Sequence, residues 1–209
     1  LLFMIGVIYE NGYHGKGMNF TRSAAFYKAA ADKGHASAMF NYGNFLRDGV
    51  GVDENPEEAV KYLKKAANAG CVEATVNLGR MIEEGEGCES DIKEALKWYE
   101  KGAEAGQTLG YFNAGRLCLI GDEKSGLEPN PEKAEKYLKK AVDQDDSGVG
   151  PKILLAVHYF MTDQYDKGIP YAKSAADEDI PPAQFIYAIM IMEKKPKEAA
   201  DYLERAANG

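Results

Sequence analysis

Along residues 91–106, DIKEALKWYEKGAEAG, the apolar and small positions are Ala95, Trp98, Tyr99, Gly102 and Ala103. That is the i, i+3, i+4, i+7, i+8 spacing of one face of an α-helix, with charged residues on the other. Just upstream, Val76, Leu78, Gly79 and Ile82 mark a second helical face. The polar stretch EGEGCESD separates the two. A helix with one apolar stripe must bury it against another element, so the pattern predicts paired helices.

The pair recurs. NFTRSAAFYKAAADKG (19–34), NPEEAVKYLKKAANAG (55–70), DIKEALKWYEKGAEAG (91–106) and NPEKAEKYLKKAVDQD (130–145) share one pattern. Ser23, Ala59 and Ala95 are 36 residues apart, as are Gly34, Gly70 and Gly106, and three extra residues in EKSGLEPNP displace the fourth copy, at Ala134. The preceding segments also repeat, as MIGVIYENG (4–12), NYGNFLRDG (41–49), NLGRMIEEG (77–85) and NAGRLCLIG (113–121). LLAVHYFMT (154–162) with KGIPYAKSAADED, and IYAIMIMEK (186–194) with KEAADYLERAANG, are degenerate copies. Six units follow, about 1–35, 36–71, 72–107, 108–146, 147–180 and 181–209. The last two lack the loop glycines and have shorter loops. Two short helices per unit cannot form a core alone, but stacked units can. The expected fold is an all-α, right-handed superhelix of about six antiparallel helix pairs in one domain, read as a piece of a longer chain.

Within each unit Gly6, Gly43, Gly79 or Gly115 occupies one place in the first helix. Glycine costs about 1 kcal/mol against alanine there, which a close helix crossing repays. Ala59, Ala95 and Ala134 are the expected facing contacts, with Tyr62, Trp98 and Tyr137 filling the space between units. The glycine-rich loop DGVGVDENPEEA (48–59) resembles a phosphate cradle at a helix start. Yet Asn55 reads as an N-cap and Pro56 as the first helical residue. Glu57 and Glu58 add negative charge to the first turn, and no Gly-Lys-Ser/Thr follows. Asn19, Asp91 and Asn130 are equivalent caps, and Asp91 with Glu94 has capping-box spacing. The loop is therefore a turn.

The four best copies together resemble the Sel-one-like repeat, a relative of the tetratricopeptide repeat. The resemblance is carried by AMFNYGNFLRDGVGVDENPEEAVKYLKKAANAG (38–70) and ATVNLGRMIEEGEGCESDIKEALKWYEKGAEAG (74–106). It implies a non-catalytic scaffold or adaptor that binds a protein or peptide on the concave surface lined by the first helices. It also implies roles in signalling, protein quality control at the endoplasmic reticulum, or cell-envelope and host–pathogen contacts. A structural spacer in a multidomain chain is the second reading. Cysteine-rich relatives described as β-lactamase-like supply a third, but those carry paired cysteines in every repeat.

Placed relative to the repeated glycine, the concave positions are Asn41, Asn77 and Asn113, then Asn44, Arg80 and Arg116, then Arg47 and Glu83. Amide and guanidinium groups in a row suit an extended peptide backbone or a carboxylate. Further along, these positions turn apolar: Leu119 and Ile120, then Leu154, Val157, Phe160 and Met161, then Ile186, Ile189 and Met192. Such a strip suits an amphipathic helix, unless further repeats cover it.

The remaining chemistry is sparse. The net charge of −8 opposes nucleic acid and anionic membranes as partners. LLFMIGVIY is too short to span a bilayer and lacks signal-peptide flanks. Cys71, Cys88 and Cys118 form no CxxC, which favours a reducing compartment such as the cytoplasm. His14, His35 and His158 have no metal-ligand spacing, and no catalytic signature occurs. Neither metal nor cofactor is expected.

Overall fold

The computed structural model describes residues 1–13, 17–145 and 148–208. These contain twelve α-helices and no strand beyond a single bridge between Asp122 and Leu127. His14 falls outside the described residues. The chain divides into two compact units, Leu1–Gly110 and Tyr111–Gly209.

The first unit holds α1 (Leu2–Asn11) and α2 (Phe20–Ala31), α3 (Ala36–Asp48) and α4 (Pro56–Asn68), and α5 (Glu73–Glu84) and α6 (Ile92–Glu104). Each pair closes on the repeated glycine, but not as expected. A methyl group on Gly79 would stand 2.8 Å from the Tyr99 ring, and one on Gly43 would stand 3.0 Å from Leu63. On Gly6 it would meet Tyr27. The side chain met at the crossing is therefore Tyr27, Leu63 or Tyr99, one turn beyond the expected Ala59 or Ala95, while Ser23 at the equivalent place in the first pair donates its hydroxyl to the Gly6 carbonyl at 2.9 Å. The alanine contributes its backbone: the Ala59 carbonyl lies 3.4 Å from the Gly43 position. Tyr62 stands edge-on to Tyr42 within its own pair, and its hydroxyl reaches Asp32 of the preceding repeat at 3.3 Å.

The loops repeat one solution. Asn19, Asn55 and Asp91 cap α2, α4 and α6, each accepting the backbone N–H three residues on. The cap's own N–H donates back to the first helix: Asn19 to Tyr9 O, Asn55 to Leu46 O (both 2.7 Å), and Asp91 to Ile82 O (3.1 Å). The capping box expected at Asp91 does not form. Its N–H is already used, and Glu94 instead accepts from Lys64 and from Trp98 Nε1. Gly49 and Gly85 end α3 and α5 in the left-handed conformation (φ 65° and 72°), which only glycine adopts without strain. The second loop glycine has another duty. Gly51 lies against the backbone of Phe20 and Thr21, and Gly87 against that of Pro56 and Glu57. Each loop thus rests on the helix start of the previous repeat, with no room for a Cβ.

The second unit, from Tyr111, holds all but the first three residues of α7 (Thr108–Ile120), then α8 (Pro131–Gln144), α9 (Val149–Met161), α10 (Tyr165–Ala176), α11 (Pro181–Ile191) and α12 (Pro196–Asn208). Gly115 again crosses Leu138, at 2.8 Å from the methyl position. The longer loop after α7 is pinned by paired hydrogen bonds between Asp122 and Leu127 and by Asn130, which caps α8. Ala156 and Ala188 stand at the glycine position of the last two repeats. Gly168 on α10 restores the close approach there, its methyl position 2.8 Å from Tyr159 Cβ. One core, centred on Leu138, Leu155, Tyr159, Ala172 and Tyr187, runs through these helices.

Candidate functional site

In the first unit, Asn41, Asn44 and Arg47 on α3 and Asn77, Arg80 and Glu83 on α5 are all half-buried. The structure joins the two helices through this row, because Asn77 Nδ2 donates to Asn44 Oδ1 at 3.1 Å. The pairing leaves each amide further donor and acceptor capacity. Asn41 touches the Tyr27 hydroxyl.

The charged members carry local counter-ions. Arg47 holds Asp48 through two bonds of 2.7 and 2.8 Å, which lower the Asp48 carboxyl and raise the guanidinium. Arg80 pairs with Glu84 at 2.7 Å and lies 3.8 Å from Glu86. The Arg80–Glu84 pair is exposed, and pairs of that kind are weak and yield to a better-placed acid. Glu83 has a structural tie, since its Oε2 accepts the Tyr99 hydroxyl at 2.7 Å. Glu10 does the same for Tyr27. Burial, and then the Glu10 carboxylate, pushes the Tyr27 hydroxyl well above its ordinary range and keeps it a donor. Sequence reasoning missed this tie, although its signal is visible. Where the inner position is Glu10 or Glu83, the residue at the crossing is tyrosine; where it is Arg47 or Leu119, the crossing residue is Leu63 or Leu138.

In the second unit, Asn113 and Arg116 on α7 are half-buried. Leu119 packs against the core. Beyond it the apolar positions stay open. Val157 and Ile189 are half-buried, while Phe160 is 36% exposed, Met192 44% and Met161 71%. Phe160 stacks on Tyr165 at 5.7 Å. A polar cluster joins α8 to α9. Glu135 on α8 accepts from Lys139 (2.6 Å) and Tyr159 (2.7 Å), and lies 3.3 Å from buried His158. Lys139 above all holds the Glu135 carboxyl down to about 2.

The loop from the sequence reading is itself a depression of about 690 Å³, lined by Tyr42, Leu46, Gly49, Gly51, Val52, Asp53, Glu54, Asn55 and Glu58. Three carboxylates face it, and the α4 N-terminus is already capped by Asn55. Both features oppose a phosphate. None of the three cysteines is in a disulfide. Burial raises the Cys71 thiol to about 11 and also raises Cys88, the reverse of an activated nucleophile. Among the described residues no His/Cys/Asp/Glu group could hold a metal. Among them, too, no helix is long and apolar enough to cross a membrane.

Consecutive helix pairs, the first four repeating about every 36 residues and closed on a glycine crossing and an Asn or Asp cap, define an α-solenoid repeat protein of the tetratricopeptide-like class. The sequence profile of the Sel1 repeat matches residues 2–35, 36–71, 72–107, 108–146 and 182–209, so the chain belongs to the Sel1 repeat family. The helices α9 and α10 lie outside the matched residues and still pack as a pair.

Solved structures agree on the fold. A Sel1 repeat protein from Oxalobacter formigenes is 27% identical, with a TM-score of 0.80 over 99% of this chain and 86% of its own. The protein c5321 is a protective antigen of uropathogenic Escherichia coli that displays an SLR fold. It is 24% identical, with a TM-score of 0.81 over 99% of this chain, which spans only 45% of that protein. YrrB, a TPR protein with an unusual peptide-binding site, is 18% identical, with a TM-score of 0.66 over 88% of this chain and 92% of its own. Among curated proteins none matches the sequence.

Proposed function

We propose that the chain is a non-catalytic binding module whose first-helix faces hold a protein or peptide ligand. The coarse part rests on the family, whose repeat fold is commonly a protein-interaction scaffold. The observation that carries the finer part is the row Asn41, Asn44, Asn77 and Arg80. It brings two adjacent helices together at one surface and leaves amide and guanidinium groups half-open to solvent. Amides of this kind bind a peptide backbone without regard to sequence, and Arg80 suits a carboxylate. Arg116 and Asn113 offer the same groups in the second unit, and Val157, Phe160, Met161, Ile189 and Met192 offer an apolar surface for side chains. Methionines suit an adaptable contact.

A peptide-display screen tests the proposal. Peptides selected by the native chain should lose binding to Asn77→Ala/Arg80→Ala or to Met161→Ser/Met192→Ser, with helicity unchanged. Peptides held equally by both variants would place recognition elsewhere. No selection at all would favour a structural spacer.

A further inference from the structure

Three repeats carry a glutamate at the same place in the second helix: Glu58, Glu94 and Glu198. Two of them are satisfied alike, by a lysine ammonium and an aromatic donor. Glu94 accepts from Lys64 at 2.8 Å and from Trp98 Nε1 at 3.3 Å. Glu198 accepts from Lys195 at 2.9 Å and from the Tyr187 hydroxyl at 2.6 Å. Glu58 has neither. Among the described residues no hydrogen bond or ion pair engages its side chain, although its backbone N–H is bound by Asn55.

The cause is visible in the neighbouring residues. Lys64 of α4 serves Glu94 one repeat on, and its counterpart for Glu58 is Lys28 of α2. Lys28 is held instead by Asp32 at 2.9 Å, whose place in the next repeat is taken by neutral Asn68. Lys195 reaches Glu198 from the helix start, where the counterpart for Glu58 is the cap Asn55. Neither route brings a lysine to Glu58.

The aromatic partner is open too. Tyr42 on α3 holds the place of Tyr187. It is only 6% exposed, yet its hydroxyl has no hydrogen-bond partner among the described residues. That hydroxyl is not enclosed by protein. Tyr42 and Glu58 both line the depression of about 690 Å³ beside the loop, together with exposed Asp53 and Glu54. Burial, and then the Glu58 charge, raise the Tyr42 hydroxyl, which keeps it neutral and able to accept an N–H. A largely buried hydroxyl without a partner calls for a polar occupant, and the carboxylates around it call for a positive one. These carboxylates do not converge as metal ligands.

We propose that this depression binds a primary ammonium group, seated between Glu58 and the Tyr42 hydroxyl and carried by a free polyamine or by a lysine side chain of a partner. The site goes beyond the first-helix faces described above. Its occupant does for Glu58 what Lys64 does for Glu94 and Lys195 for Glu198. The ammonium donates to the Glu58 carboxylate and to the Tyr42 oxygen, and Asp53 and Glu54 favour further positive charge on the ligand.

Calorimetric titration of the 209-residue chain with spermidine, and separately with the peptide acetyl-Gly-Lys-Gly-amide, tests this. At least one probe should bind saturably. Spermidine alone marks a free polyamine, the peptide alone a lysine side chain, and both the shared ammonium. Glu58→Gln should weaken binding about tenfold, and Tyr42→Phe about fivefold. Both variants change groups that bond nothing in the chain, so their melting temperatures should stay near the native value. Glu94→Gln, at the carboxylate that Lys64 already fills, should leave the affinity unchanged. No saturable binding of either probe overturns the proposal. So does affinity that survives both Glu58→Gln and Tyr42→Phe. Equal weakening by Glu94→Gln, or displacement by equimolar magnesium, overturns it as well, because either marks a diffuse counter-ion effect.

Discussion

The second and third repeats (α3 to α6) and the last two (α9 to α12) build the same helix pair with different means. The earlier pairs use a glycine on the first helix, a seven-residue loop with two positive-φ glycines (Gly49 and Gly51 in one), and an Asn or Asp cap. In α9–α10 the glycine sits on the second helix, as Gly168. The loop shrinks to Thr162, Asp163 and Gln164, and no side chain caps α10. Asp163 takes the positive φ, at 55°. Some features survive in both regions: small residues where the helices cross, and a buried tyrosine tied to a carboxylate of its own pair, Tyr99–Glu83 in one and Tyr187–Glu198 in the other. These specify the pair. The loop glycines and caps strengthen it and can be replaced. The outward positions of the first helix are bound to the fold only in places, where Glu83 accepts the Tyr99 hydroxyl and Leu119 packs against the core. They change from asparagine and arginine to leucine, phenylalanine and methionine without altering the fold.

This difference can be broken most forcefully at a crossing. Gly79→Leu drives a side chain into the Tyr99 ring and should cost about 1–3 kcal/mol by thermal unfolding. An unchanged melting temperature would disprove the placement of that contact. The caps come next. Asn55→Ala removes a real acceptor and should cost about 1 kcal/mol. Gln164→Ala, at the uncapped start of α10, should stay within about 0.5 kcal/mol. Equal effects would erase the distinction between the two regions.

Acid sharpens the comparison further. The folded Glu135 carboxyl lies at about 2, below the ordinary glutamate value. The unfolded chain therefore binds the extra proton first, and stability from this cluster is complete above about pH 4.5 and declines as pH falls toward 2. Glu135→Gln should flatten the acid limb of a stability-versus-pH curve in that window, and an unaltered limb would show that Lys139, Tyr159 and His158 gain nothing from the charge. The smallest effect is expected at the surface. Arg80→Ala, which removes only exposed ion pairs, should shift stability by less than about 0.5 kcal/mol in chemical denaturation.

Much of the fold was legible because the repeat prints the same contacts several times. The caps Asn19, Asn55, Asp91 and Asn130 are local, within three residues of their partners, and could be read directly. The partner of Gly79 could not. Ala95 and Tyr99 lie on one helical face, and only the crossing geometry decides which meets the glycine. The duty of Gly51 was equally hidden, because its neighbour Phe20 belongs to the previous repeat. At the candidate site, position along the first helix was legible, but engagement was not. Arg80 and Glu83 read alike as ligand groups, yet Glu83 holds the Tyr99 hydroxyl from its own repeat and Arg80 meets the exposed Glu84 and the half-buried Glu86.

The decisive measurement pairs binding with unfolding in one set of variants. Arg80→Ala and Met161→Ser/Met192→Ser should melt within a few degrees of the native chain while titrations of a display-selected peptide show its affinity lost. Intact binding in both variants, or a large fall in melting temperature in either, would contradict the claim that these faces serve a partner rather than the fold.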